Sequence, residues 1–107
     1  MGALIMQINS VTFSYQRPLG YQQISATTLV ASTGLNLPTP PVGRPIMAAV
    51  IQCNGGTVRW RDDGTNPTAS IGMSLATGSE LDYYGEMTAI KFIVSSGTPI
   101  LDISYYG

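Results

Sequence analysis

The hydrophobic pattern of the chain is that of β-strands, because short apolar runs recur between clusters of turn residues. The alternation is clearest where Val58 and Trp60 point to one face of a predicted strand while Arg59 and Arg61 point to the other. No window of useful length has the periodicity of an amphipathic helix. Strands are predicted over residues 24–31, 46–52, 57–61, 70–75, 80–84, 89–94 and 100–106.

Turn residues between these runs indicate how neighbouring strands are joined. Asn54-Gly55-Gly56 predicts a tight hairpin turn, because an Asn-Gly pair tolerates the positive φ angles that such turns require. Ala76-Thr77-Gly78 and Ser95-Ser96-Gly97 predict two further turns. Short strands joined in this way are typical of an all-β protein, and we expect an antiparallel β-sandwich or jelly-roll-like domain.

Charge is unevenly distributed along the chain. Residues 1–43 contain one charged residue, Arg17, and their Gln, Ser, Thr, Pro and Gly content favours extended backbone over helix. We therefore predict an extended N-terminal arm, residues 1–22, followed by a β-sandwich domain, residues 23–107. The alternative is that residues 1–22 are an ordinary strand with loops of the same domain. As an arm they would pack on a neighbouring subunit, with candidate contact residues Phe13, Tyr15, Arg17 and Tyr21.

Composition argues against several functional classes. The 107 residues correspond to one domain, and their net charge of −1 argues against nucleic-acid binding by phosphate neutralisation. The chain has no histidine, the commonest general base and metal ligand, and its single cysteine, Cys53, cannot form an internal disulfide. No apolar run approaches the roughly 18 residues that span a bilayer, and no targeting segment is recognisable. We expect a soluble protein made in a reducing cytoplasm, without nucleic-acid or membrane partners.

Two arginines on one strand face are candidate interface residues. Arg59 and Arg61 could bind a carboxylate or phosphate group of a partner, since guanidinium groups pair with such groups in a bidentate way. Alternatively, they pair across strands, or between subunits, with acidic residues at the polar phase of other strands. Those residues are Glu80, Asp82 and Asp102.

The segment Asp62–Asn66 offers several oxygen atoms within five residues, which raises the question of a calcium site. Calcium takes about six to eight oxygen ligands, and loop sites alternate their acids and add a distal bidentate Glu. Here Asp62 and Asp63 are adjacent and no such Glu follows. The sequence therefore favours a turn capped by aspartate, and we expect no metal site.

The tyrosine pairs suggest a different kind of site. In Tyr83-Tyr84 and Tyr105-Tyr106, alternation buries one ring of each pair and leaves Tyr84 and Tyr106 exposed. Exposed tyrosines can serve as platforms for sugar rings. Trp60 shares the apolar phase of Val58 and is predicted to lie in the core.

Catalysis has little support in this sequence. Glu80, Asp82 and Glu86 could furnish a carboxylate pair, but no histidine, nucleophile elbow or phosphate-binding loop accompanies them. Cys53 ends an apolar strand, where a buried and inert thiol is expected. We expect that the protein is not an enzyme and has no catalytic residues or cofactor.

The run Arg-Trp-Arg-Asp-Asp-Gly-Thr, within residues 58–65, is the most specific motif in the chain. Residues 67–73, Pro-Thr-Ala-Ser-Ile-Gly-Met, follow it with an ordinary β pattern. Residues 81–85, 89–93 and 101–106 follow in a matching order. Through these motifs the stretch from about Ile24 to Tyr106 resembles a group of small virion proteins of tailed bacteriophages. The resemblance covers most of the chain but leaves residues 1–22 unmatched, and it brings no catalytic or ligand residues.

The resemblance implies a virion component, most plausibly a capsid decoration (cement) protein on the capsid surface. Such a protein binds the major capsid protein and is expected to form a homo-oligomer, with a trimer favoured. Low charge and a neutral arm suit permanent interfaces, which are depleted of charge at their centres. The alternatives are a carbohydrate-binding or host-recognition module of a tail or head fibre, and a head-completion or tail-connector protein.

Overall fold

The computed structural model describes residues 16–107, which form one antiparallel sheet with a single turn of 3-10 helix, Thr28–Val30. Its all-β character confirms the expected fold class. The sheet has six strands: β1 Pro18–Ile24, β2 Thr33–Gly34, β3 Ala48–Arg61, β4 Met73–Leu75, β5 Glu80–Tyr83 and β6 Lys91–Tyr106.

Two long central strands, β3 and β6, pair with each other from Ala48↔Tyr106 to Arg61↔Lys91. Each also carries two shorter strands on its other side. β1 and β2 pair with opposite ends of β6, while β5 and β4 pair with opposite ends of β3. Every short strand therefore depends on β3 or β6 for its backbone hydrogen bonds within the described part of the chain.

Glycines interrupt the central pair where the sequence predicts turns. Two of the three predicted turns are wrong: residues 54–56 lie inside β3 and residues 95–97 lie inside β6. The register shifts between Asn54 and Gly56 and again between Thr57 and Val58, which are β-bulges rather than hairpins. Gly55 has φ 80° and Gly97 has φ 71°. The positive φ angles that the sequence predicts are therefore present at these two glycines, but they lie at irregular points within continuous strands and not in hairpin turns.

The buried positions change phase along each long strand. In β3 the buried residues are Ala48, Ala49, Ile51 and Cys53 before the register shifts and Val58 after them. Both shifts place the extra residue in β6, so the change of phase in β3 falls on the irregular stretch that contains Gly55. β6 behaves likewise, and the core is drawn from both strands and from flanking segments: Ile24, Leu29, Leu75, Tyr83, Met87, Ile90, Phe92, Leu101, Ile103 and Tyr105.

Two predicted strands differ in extent from those observed. The strand predicted over 24–31 is replaced by the end of β1 and the 3-10 turn, where the N–H groups of Thr28 and Leu29 donate to the carbonyl oxygen of Ser25. The strand predicted over 70–75 is confined to β4, Met73–Leu75. The predicted turn at residues 76–78 is confirmed, with Ser79 N–H donating to the Ala76 carbonyl.

The predicted arm, residues 1–22, falls partly within the sheet. Residues 18–22 belong to β1 and pair with the end of β6. Before them, the backbone N–H and carbonyl of Arg17 exchange hydrogen bonds with those of Gly107, at 2.9 and 3.0 Å. Phe13 and Tyr15 lie outside the described residues.

Candidate functional site

The buried face of the sheet is uncovered at one end. Val58 of β3 pairs with Leu75 of β4, and both side chains are buried. On the next pair toward the end of β3, Trp60 pairs with Met73 on one side and with Phe92 on the other. Phe92 is fully buried, Trp60 is partly exposed and Met73 is 60% exposed. The apolar row of the core thus continues to the surface at β4.

An open groove of about 550 Å³ follows this uncovered end. Its size is within the range of small-ligand and side-chain sites, roughly 300–1,000 Å³. Apolar walls and charged residues both contribute to it: Trp60, Arg61, Asp62, Asp63, Ile71, Gly72 and Met73. We call this set the Trp60 groove.

One wall of the Trp60 groove is an ion pair within a turn. The Arg61 guanidinium binds both carboxylate oxygens of Asp63, with Nε–Oδ1 at 3.1 Å and Nη2–Oδ2 at 2.5 Å. This pairing lowers the pKa of the Asp63 carboxyl and raises that of the Arg61 guanidinium. Asp63 Oδ1 also accepts from the Thr65 N–H at 3.3 Å, which confirms the aspartate-capped turn. No metal-binding cluster of three or more His, Cys, Asp or Glu is present in residues 16–107.

Asp62 accepts a hydrogen bond from Tyr83, a residue of β5, which pairs with the opposite end of β3. Tyr83 of β5 places its hydroxyl 2.8 Å from Asp62 Oδ2 and 3.1 Å from the Glu86 carbonyl oxygen. Burial of the ring, followed by the hydrogen bond to Asp62, raises the pKa of Tyr83 well above its usual value. The Tyr83 ring also meets Trp60 edge to face, with centroids 6.1 Å apart. Trp60 and Asp62 are therefore both fixed by one buried residue.

Arg59 fixes the opposite side of the loop that carries Ile71. Its Nε donates to the Ala69 carbonyl at 3.2 Å, and Nη1 donates to the Gly72 carbonyl at 2.9 Å. These bonds hold residues 69–72 against β3 and leave the Ile71 side chain 56% exposed. The predicted cross-strand pairing of Arg59 and Arg61 is wrong within residues 16–107, where the one ion pair is that of Arg61 with Asp63 and Arg59 donates to backbone carbonyls. A pairing between subunits stays a prediction.

Two of the acidic residues expected to pair with those arginines, Asp102 and Glu80, have other partners. Asp102 Oδ1 accepts from the Tyr21 hydroxyl at 2.7 Å and from Gln23 Nε2 at 2.8 Å. These bonds, the one to Tyr21 foremost, lower the pKa of the Asp102 carboxyl, while the pKa of Tyr21 is raised. Glu80 accepts from Gln52 at 3.2 Å. Tyr21 and Asp102 belong, with Tyr106, to a second and smaller depression on the sheet.

The tyrosine pattern matches the sequence prediction. Tyr83 and Tyr105 are buried, Tyr84 is 70% exposed and Tyr106 is partly exposed. The Tyr105 hydroxyl donates to Gln22 Oε1 at 2.7 Å, and burial raises the pKa of Tyr105 to about 12. Tyr84 lines neither the Trp60 groove nor the depression at Tyr106.

The structure separates the candidate interface residues into different places. Arg61 lines the Trp60 groove and Arg59 supports it, whereas Tyr21 and Tyr106 lie at the second depression and Arg17 pairs its backbone with Gly107. Sequence reasoning missed Ile71 and Met73, which it placed in phase with the buried Leu75. Gly72, with φ 141°, lies between Ile71 and β4 and is the sequence signal that could have indicated the exposure of Ile71. Met73 keeps the phase of Leu75 within β4, so its exposure has no such signal.

The core prediction for Trp60 holds in part, because its side chain packs on the core while also lining the groove. Cys53 is buried as predicted, and burial raises the pKa of its thiol. None of the helical structure in residues 16–107 is long and apolar enough to cross a membrane. The fold and site define an all-β protein with an open, partly apolar groove. Comparison with protein-family models, curated proteins and solved structures finds no match to this chain.

Proposed function

We propose that the chain is a structural protein of a tailed-bacteriophage virion, a capsid decoration (cement) protein that binds and stabilises the major capsid shell. The observation that carries the proposal is the Trp60 groove, where the apolar core reaches the surface through Trp60, Ile71 and Met73. Exposed apolar surface of this kind, bordered by polar groups, is typical of a protein-protein contact.

The resemblance to small virion proteins supports the same proposal. Its one specific motif, within residues 58–65, contains four of the residues that line the Trp60 groove, and the matching residues 67–73 contain the other three. A groove built from those two segments is a reasonable place for the contact with the shell. The proposal includes no catalytic step, cofactor or metal, and it places the protein on the outer surface of the virion.

The finer architecture and the oligomeric state belong to this proposal as well. The contact of Trp60 with Tyr83 brings an end of β3 onto the opposite half of the sheet, as a sandwich or jelly roll would require. A trimer at a capsid symmetry axis is the favoured assembly, since closed cyclic symmetry matches the local symmetry of a shell. Light scattering coupled to gel filtration measures that state directly.

Copy number per particle tests the proposed function. Quantitative mass spectrometry of purified phage particles, with the major capsid protein as internal standard, is expected to give on the order of hundreds of copies. A few to a few dozen copies would instead identify a tail or head-connector component. Absence from purified particles would refute a virion role altogether.

A carbohydrate-binding or host-recognition module is the second candidate function. One observation favours it: Trp60 lines an open groove beside Arg61 and Asp63, and aromatic faces flanked by charged groups suit sugar rings and their hydroxyls. The exposed Tyr84 and Tyr106 are further possible platforms.

A glycan array with the purified chain tests this second candidate. A specific signal that is lost in Trp60→Ala but retained in Tyr84→Ala would place the sugar in the Trp60 groove. Loss in Tyr84→Ala or Tyr106→Ala, with Trp60→Ala unaffected, would place it on the tyrosines. The absence of any signal, together with host attachment that withstands all three variants, would eliminate this function.

A further inference from the structure

The charges of the Trp60 groove do not balance. Its lining contains one arginine and two aspartates, but Arg61 is engaged with Asp63 in a two-point ion pair. Arg59 points to the carbonyls of Ala69 and Gly72. In the described part of the chain no cationic side chain lies within ion-pair distance of Asp62. One carboxylate therefore remains uncompensated at the edge of an apolar groove.

Asp62 is also held in place before any partner binds. The Tyr83 hydroxyl donates to its Oδ2 at 2.8 Å, and Tyr83 itself is buried against Trp60. A carboxylate fixed in this way has less conformational freedom to lose on binding a cation. Its second oxygen has no hydrogen-bond donor within residues 16–107, which leaves an acceptor for a partner.

We propose that the Trp60 groove receives a lysine or arginine side chain of a partner protein. The aliphatic stem of that side chain lies against Trp60, Ile71 and Met73, and its cationic end reaches Asp62. Lysine and arginine have this combination of an apolar stem and a charged end, and the indole ring of tryptophan attracts cations. The inference deepens the proposed function, on which the identity of the partner as the capsid protein rests.

Charge complementarity favours this occupant over two others. An anionic group would meet Asp62 and would have to displace Asp63 from Arg61. A second copy of the chain is a poorer source of the cation, because Arg44, Arg59 and Arg61 already donate to acceptors of their own chain. Lys91 is only partly exposed, and its Nζ lies against Gly34 of the same sheet. A different protein with a basic side chain in an accessible segment fits better.

The experiment uses small probe molecules. Two of them, n-butylguanidinium and n-butylammonium, have the apolar stem and the cationic end of the proposed side chain. The chain has one tryptophan, so its indole N–H gives a single signal in a ¹⁵N-correlated NMR spectrum. The purified protein is titrated with n-butylguanidinium, n-butylammonium, butyrate and methyl glucoside at constant ionic strength. We expect a saturable shift of the Trp60 signal with the two cations, in roughly the millimolar range for ligands of this size.

Matched variants locate the binding to Asp62 and the apolar wall. Asp62→Asn keeps an acceptor for Tyr83 but removes the charge, and it is expected to weaken cation binding roughly two- to fivefold. Asp82→Asn, at an exposed carboxylate of β5 outside the groove, is the control and should leave binding unchanged. Met73→Ala should weaken binding, whereas Met47→Ala, at a methionine that is 53% exposed elsewhere, should not. Circular dichroism shows whether each variant retains the fold.

The outcomes separate this inference from the proposed function. Equal shifts with butyrate, a shift with methyl glucoside alone, or no shift with any probe would overturn the cationic occupant. Equal weakening by Asp62→Asn and Asp82→Asn would show that the cation does not bind at Asp62. Cation binding together with a low copy number per particle would support the groove and refute the decoration function.

Discussion

Replacing Gly97 with alanine tests the irregular centre of the sheet, where the paired strands β3 and β6 leave little space between their backbones. At φ 71° an L side chain is strained, and a Cβ at this position would lie 2.9 Å from the Gly55 carbonyl oxygen and 3.0 Å from the Gly56 Cα. Both contacts are with backbone, so a rotamer change of a neighbouring side chain cannot relieve them. The strain and the clash should therefore add.

Two other glycines allow the two contributions to be measured separately. Gly78 has a similar φ of 80° with open space around its Cβ position, so Gly78→Ala reports strain alone. Positive φ costs about 1–2 kcal/mol, of which the lower entropy of the unfolded alanine chain returns roughly half. Gly56 does not have a positive φ, but its Cβ would clash with the Ser96 carbonyl oxygen and lie 2.8 Å from Pro99 Cδ. Gly56→Ala thus reports the clash, about 1–3 kcal/mol.

We expect Gly78→Ala to lower the free energy of unfolding by about 1 kcal/mol, and Gly97→Ala by about 3 kcal/mol. The assay is urea unfolding followed by the fluorescence of the single tryptophan, Trp60. With a slope of roughly 1–2 kcal/mol/M, the midpoint of Gly97→Ala should fall by about 1.5–3 M. Equal midpoints for Gly97→Ala and Gly78→Ala would refute the close approach of the two strands, because strain would then account for the whole effect.

Three further predictions concern titratable groups. Arg61→Gln should bring the NMR-titrated pKa of Asp63 back up toward its ordinary value of 3.8; an unchanged pKa would contradict the pairing. In the unchanged protein this pairing stabilises the fold above that pH, and the contribution is lost as the pH falls from 3.8 through the lowered pKa. Burial raises the pKa of Tyr105 from 10.0 to about 12. The free energy of unfolding should fall as the pH rises through this interval, because Tyr105 ionises there only in the unfolded chain. Ultraviolet absorbance should then show tyrosinate appearing together with loss of β structure by circular dichroism, and ionisation of all tyrosines near pH 10 in a folded protein would contradict this. The Cys53 thiol should react with a disulfide reagent only at the rate of local or global opening, and rapid reaction of the folded protein would show that it is accessible.

The strands could be predicted from sequence wherever alternation and burial agree. Leu101, Ile103 and Tyr105 alternate with polar residues and are all fully buried. Continuity could not be predicted, because Asn54-Gly55 provides a positive φ equally suited to a hairpin and to a bulge. The choice is made by Gly97, which is distant in sequence and faces Gly55 and Gly56 across the pair.

The groove was less predictable than the strands. Trp60, Arg61 and Asp62 stood out as a run, but the exposure of Met73 depends on its position at the open end of the core, which period-two alternation does not encode. The partners of the arginines were missed for a similar reason. A long guanidinium side chain binds whichever acceptors the loop geometry places nearby, and at Arg59 these are backbone carbonyls.

The pairing of β1 with β6 has a consequence for synthesis on the ribosome. Tyr21 of β1 hydrogen-bonds Asp102 of β6, 81 residues later in the chain. At roughly 5–20 residues per second, about 4–16 s separate the appearance of the two segments. During that interval β1 has no native neighbour and can pair with strands of other nascent chains. The yield of correctly folded protein should therefore depend on translation speed and on the spacing of ribosomes along the message.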